Sequence, residues 1–132
     1  MRKIDEIIIH CTATPEGRAV SVADVDRWHR ARGFRSIGYH YLVALDGTIE
    51  AGRPVEQQGA HCTGHNARSV GVCYVGGLTR DGRSPKDTRT PAQRKSLRAL
   101  VGELRRRFPG ATVHGHCEFA AKACPCFPIS EL

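Results

Sequence analysis

The sequence is poor in aromatic residues: one Trp, three Tyr and four Phe amount to 6% of the chain. A nucleic-acid surface built on base stacking interleaves aromatics with its cations. The densest cation runs here, Arg94-Lys95, Arg98 and Arg105-Arg106-Arg107, contain none. No apolar stretch approaches the ~20 residues that a membrane span needs. There is no internal repeat, low-complexity tract or linker, and no Walker, Rossmann or nucleophile-elbow pattern. The apolar run Ile7-Ile8-Ile9 is too short for the core of a secretory leader, and Asp5 and Glu6 stand in front of it, so synthesis in the cytoplasm without a signal peptide is expected. In that compartment cysteines are more often free, metal-bound or catalytic than disulfide-bonded. Acidic residues are also scarce, 13 against 20 Lys and Arg, which leaves a net charge of +7. That balance favours an anionic partner: nucleic acid, a phospholipid surface or a cell-wall polymer.

Against these absences stand 132 residues that are 40% hydrophobic and 25% charged. This is one domain's length with ordinary globular composition, able to bury roughly two-thirds of the surface an unfolded chain exposes. Ile4 to His10 reads as a strand whose near-continuous apolar run suits burial on both faces. Ser21 and Asp24 resemble a capping box, followed by Val22, Val25, Trp28 and His29 on one helical face and Gly33 as the stop. Tyr39 to Leu45 and Thr48 to Ala51 read as strands joined by an Asp46-Gly47 turn. Residues 53 to 69 read as a long surface loop with room for a short helix, and Val70 to Val75 as a second buried strand. Thr90-Pro91-Ala92-Gln93 combines a Thr cap, Pro in the first helical position and Gln three residues after the cap. Leu97, Leu100, Val101, Leu104 and Phe108 then follow at helical spacing. A last short strand is expected from Ala111 to His114. The order predicts an α/β single domain, a central mixed β-sheet flanked by helices.

Chemistry concentrates at the end of the chain, in His114-Gly115-His116-Cys117-Glu118 and Lys122-Ala123-Cys124-Pro125-Cys126. Imidazole and thiolate are the usual ligands of tetrahedral zinc, but these spacings are not those of a zinc finger or ribbon. They suit an open site assembled from a strand end and the following loop, with a further ligand from elsewhere. His10, at the end of the first buried strand, is the best source of that ligand, because α/β sheets place functional groups at strand ends. The residues alone do not choose between His114 and His116, or between Cys124 and Cys126, since positions two apart point the same way in an extended segment. The cations of the last predicted helix read as a solvated face, its apolar positions already accounting for the pattern. His29 and His40 read as buried, hydrogen-bonded histidines, Trp28 and Phe34 as core.

Further motifs carry a family resemblance. They are Ile9-His10-Cys11-Thr12-Ala13-Thr14, Trp28-His29, Gly38-Tyr39-His40-Tyr41, Asp46 to Arg53, Gly59-Ala60-His61, Ser69 to Gly77, Thr90 to Gln93 and His116 to Phe127. In this order and spacing the chain resembles the zinc-dependent N-acetylmuramoyl-L-alanine amidases that share a fold with peptidoglycan recognition proteins, and among them the short amidase-type lysozymes of bacteriophages. The resemblance implies a single catalytic domain over residues 1–132 with Zn2+ held by His10, His116 and Cys124, so that His114 and Cys126 are not ligands. It implies Tyr39 and Lys122 as catalytic residues beside the metal. His61 and Asn66, in the long loop, are expected to line the groove for the peptidoglycan substrate. Glu118 is expected to orient a histidine rather than to act as acid or base. Cys126 departs from the pattern, which usually has a small polar residue there. The chain stops soon after Phe127, where relatives often add a helix, so a more open groove is expected at that end.

The function implied is hydrolysis of the amide between N-acetylmuramic acid and L-alanine in peptidoglycan, as a monomeric endolysin acting on the wall after release or export. Peripheral contact with an anionic wall or membrane surface fits the charge, and no nucleic-acid partner is expected. The alternative is a non-catalytic peptidoglycan-binding module, which usually lacks one of the metal ligands. A nucleic-acid-binding zinc protein is disfavoured by the missing aromatics.

Overall fold

The computed structural model describes residues 1–132. Its elements are β1 (Glu6–Cys11), β2 (Thr14–Pro15), α1 (Val22–Ala31), β3 (Tyr41–Val43), β4 (Ile49–Ala51), β5 (Ser69–Tyr74), β6 (Gly77–Leu78), α2 (Pro91–Arg107) and β7 (Thr112–Gly115), with short 3-10 turns at Asn66–Arg68, His116–Glu118 and Ile129–Glu131. The main sheet runs in the order β4-β3-β5-β1-β7. β1 is parallel to both β5 and β7, β3 is parallel to β5, and only the β3–β4 hairpin is antiparallel. This is the expected mixed α/β sheet. Every residue of β5 is buried, as is β1 beyond Glu6, which is why both read as apolar runs rather than alternating ones.

Alternation along the strands sorts side chains onto two faces. Ile7 and Ile9 of β1 and Val70, Val72 and Tyr74 of β5 pack with Leu97, Leu100, Val101 and Leu104 of α2 in the larger core cluster. Leu42 and Cys73 pack on the opposite face with Val25 of α1, Val20, Ile37 and Val75. Because Ile9 and Cys11 turn toward α2, His10 between them turns to the other face. The parity of one strand thus delivers a histidine to the side of the sheet that α2 does not cover.

Both helices start at the expected boxes. Ser21 Oγ accepts from the Asp24 N–H and Asp24 returns a bond to the Ser21 N–H; Thr90 and Gln93 do the same. Each such cap is worth about 1 kcal/mol. Gln93 does more than cap. Its buried Nε2 donates to the carbonyls of Val75 at 2.9 Å and Val43 at 3.3 Å, joining α2 to two strands. Two strands are shorter than expected, β3 by two residues at each end and β4 by one. The two-residue β2–β6 ladder, in which Leu78 pairs with Pro15, has no counterpart among the elements expected from the sequence.

Candidate metal centre and active site

The ligand-type atoms of His10, His116 and Cys124 lie within 4.8 Å of one another. β1 brings His10, the turn after β7 brings His116, and an irregular C-terminal segment brings Cys124. His10 is buried, while His116 and Cys124 are half-buried. Burial lowers the pKa of both imidazoles, and neighbouring His61, His116 and Lys122 lower that of His10 further. Both rings are therefore neutral near pH 7, the state in which imidazole ligates a metal.

His61 defines which His10 nitrogen is free. Its Nδ1 lies 2.8 Å from His10 Nε2, and its Nε2 lies 3.1 Å from Ser69 Oγ. Burial pushes the His61 pKa down to about 3, so this ring too is neutral. With Nε2 engaged by His61, His10 has Nδ1 left for the cluster. Hydrogen-bonded partners of this kind orient metal-binding histidines in general. A side chain at Gly71 would displace the arrangement, since a Cβ there would lie 2.7 Å from the His61 ring. Asn66 Oδ1 accepts the His61 and Cys62 N–H groups, both at 2.9 Å, and so holds the loop that carries His61.

The Cys124 segment has no strand pairing and is tied down from three sides. The Cys117 N–H donates to the Cys124 carbonyl at 2.8 Å. The Tyr74 hydroxyl donates to the Pro125 carbonyl at 2.7 Å. The Arg89 guanidinium, itself paired with Asp87, sits 3.4 Å from the centre of the buried Phe127 ring. Cys124 Sγ accepts the Cys11 N–H at 3.2 Å.

Beside the cluster opens a pocket of about 300 Å³ lined by Tyr39, His61, Asn66, His116 and Lys122, and also by His29, Arg32 and Phe34. Five of the seven expected site residues thus line this space, while His10 and Cys124 are not in its wall and adjoin it through His116. The Tyr39 ring is 5.0 Å from that of His10, and burial raises its hydroxyl well above the usual phenol range, which keeps it protonated. Lys122 is exposed on the turn before Cys124.

The pairs that the residues left open separate cleanly. His114 is engaged elsewhere, its ring nitrogens bonding Glu118 Oε1 at 2.9 Å and Thr112 Oγ1 at 2.7 Å. Glu118 thus orients a histidine as expected, but one outside the cluster. Cys126 lies beside Cys11, not His10. The assumption that residues two apart share a direction fails because Cys126 adopts φ 71, a left-handed backbone.

Some wall residues were not anticipated. His29 is buried as expected, with Nδ1 accepting the Gly38 N–H at 2.8 Å, yet it also lines the pocket. Phe34 lines the pocket instead of joining the core. The signal available for His29 was its place four residues after Val25, on the inward stripe of α1. His40, by contrast, is wholly structural: Nδ1 accepts the Gly71 N–H and Nε2 bonds the Gln57 carbonyl.

Residues 1–127 match the N-acetylmuramoyl-L-alanine amidase family. The chain is 41% identical over 130 residues to an endolysin of Klebsiella phage KP32, spanning 98% of this chain and 85% of that one. It is 42% identical over 127 residues to an endolysin of Escherichia phage T7, spanning 96% and 83%. Among solved structures, the N-acetylmuramoyl-L-alanine amidase LysC from Clostridium intestinale superposes with a TM-score of 0.85 at 30% identity, spanning 98% of this chain and 83% of that one.

Proposed function

The chain belongs to the N-acetylmuramoyl-L-alanine amidase family, and on that footing we propose that His10, His116 and Cys124 hold a zinc ion for amide hydrolysis in the adjoining pocket. The protein is a peptidoglycan amidase of the endolysin kind, which cleaves the bond between N-acetylmuramic acid and L-alanine. The observation that supports zinc is the donor set itself: two neutral imidazoles and one thiol converging within 4.8 Å. Two imidazoles and one thiolate form a donor set of the kind catalytic zinc sites use. Held by these three residues, zinc would supply Lewis acidity to a carbonyl and to water.

The chain's own residues do the rest. His61 engages His10 Nε2 in a hydrogen bond and keeps that ring turned toward the cluster. Lys122 brings an ammonium to the pocket edge, where it stabilises negative charge developing on the amide oxygen. Tyr39, held protonated, donates a hydrogen bond to the same region. His61 and Asn66 border the groove that receives the stem peptide. Behind the sheet, α2 exposes Arg94, Lys95, Arg98, Arg105, Arg106 and Arg107, a cationic face suited to anionic wall polymers or membrane surfaces. No helix is long and apolar enough to cross a membrane. Residues 1–132 act as one catalytic unit, a monomer that meets the wall after release or export.

The test is paired. His10→Ala and His116→Ala should each lose bound zinc and release new L-alanine amino termini from purified peptidoglycan at least about 10³-fold more slowly, since even outer-sphere partners of a metal cost 10–100-fold. Zinc-loaded, active variants would overturn the assignment.

A further inference from the structure

Cys11 and Cys126 are not members of the His10–His116–Cys124 cluster; Cys11 touches Cys124 as well, and its thiol also faces that of Cys126. Cys11 follows His10 at the end of β1, and Cys126 lies two residues beyond Cys124. Their Sγ atoms are 3.9 Å apart across a separation of 115 positions. Local structure holds them in place. The left-handed backbone of Cys126, with its N–H donating to the Ala123 carbonyl at 2.7 Å, turns this thiol off the direction taken by Cys124. Cys11 Sγ occupies space that only a glycine leaves at position 77, where a Cβ would lie 2.5 Å from the sulfur. Cys11 is buried and Cys126 is half-buried, so a small reagent meets Cys126 first.

We propose that Cys11 and Cys126 form a modification site, a dithiol that reacts with a low-molecular-weight disulfide such as glutathione disulfide and closes to an intramolecular disulfide. The Cys126 sulfur attacks one sulfur of the reagent; the reagent's S–S bond breaks, and one glutathione leaves as the thiol with the Cys126 proton. The Cys11 sulfur then attacks Cys126 in the mixed disulfide, and the second glutathione leaves with the Cys11 proton. Two protein thiols are oxidised by two electrons, and one glutathione disulfide is reduced to two thiols. Side-chain rotation has to bring the sulfurs from 3.9 Å to about 2.05 Å. The bond would join the segment carrying His10 to the segment carrying Cys124, and it would close nearly the whole chain into one loop, the geometry that most restricts the unfolded chain. A reducing thiol buffer keeps the pair open. The inference concerns thiols outside the cluster and does not depend on the amidase chemistry.

The test treats the metal-loaded protein with glutathione disulfide. The intact mass should fall by two hydrogens, and tryptic peptides 4–18 and 123–132 should be joined, with fragmentation placing the bond at Cys126. The Tm should rise by roughly 10 °C and return on adding dithiothreitol. Cys126→Ser should show neither change, with a reduced-state Tm close to that of the parent protein. Should that variant fold poorly, peptide mapping of the parent protein decides alone. A bond from Cys124 to either Cys11 or Cys126, a stable glutathione adduct on exposed Cys117 without ring closure, or an unchanged mass would each overturn the proposal.

Discussion

His10 and Cys124 reach the same cluster from opposite kinds of structure. His10 stands on β1, paired with Cys73 of β5 and one residue past the end of the ladder to β7. Cys124 stands on a segment without strand pairing, held by a carbonyl bond from Cys117, the Tyr74 hydroxyl one residue on, and Arg89 against Phe127. The sheet fixes the first half; one main-chain bond and a few individual side chains fix the second. The two halves should therefore fail differently: the strand half with the fold, the loop half by losing its grip on metal or substrate while the fold persists.

The largest expected effect that separates them is at Lys122. Lys122→Ala should cut turnover by about 10²–10³, the usual cost of removing one group that stabilises a developing oxyanion. Metal content and Tm should stay unchanged. Loss of metal would show instead that Lys122 helps build the loop half.

Next comes acid sensitivity on the strand side. Burial pushes the His40 pKa down to about 4, below the ~6.5 of an unfolded histidine. The fold thus prefers neutral His40. Its contribution is present in full above about pH 6.5 and is lost as pH falls toward 4, amounting to at most about 3 kcal/mol. Urea unfolding at pH 7 and pH 4.5 should show the loss, and His40→Gln should flatten part of the slope. An unaltered slope would mean other groups carry the acid sensitivity.

A smaller effect sharpens the contrast from the loop side. Tyr74→Phe keeps the ring in the core and removes only the hydroxyl bond to the Pro125 carbonyl, worth about 1 kcal/mol. Metal affinity should weaken about five- to tenfold with little change in Tm. A fallen Tm with unaltered metal affinity would make that bond a core feature rather than an anchor for Cys124.

The same division explains what could be read in the sequence. The strand half was legible: apolar runs mark β1 and β5, and alternation along β1 is enough to place His10 opposite Ile9 and Cys11. α2 was legible because its Thr90–Gln93 box and its apolar stripe agree. The loop half was not. Whether Cys124 or Cys126 faces His10 depends on the backbone angle of Cys126, which no periodicity encodes, and only the family resemblance favoured Cys124. The orientation of His114 toward Glu118 and Thr112 depends on contacts local to the end of β7. The β2–β6 pair is two residues long and leaves no pattern to read. The bond from His10 to His61 joins positions 51 apart, and only the folded loop brings them together.

In the proposed zinc site a strand-borne histidine meets two loop-borne ligands, and Cys124, not its neighbour, supplies the sulfur. This assignment is tested most directly by zinc stoichiometry and release of L-alanine amino termini from peptidoglycan, measured side by side for Cys124→Ser and Cys126→Ser. The expected result is that Cys124→Ser loses both zinc and cleavage while Cys126→Ser retains both. A zinc-loaded, active Cys124→Ser protein, or loss of zinc in Cys126→Ser with its fold intact, would contradict the account.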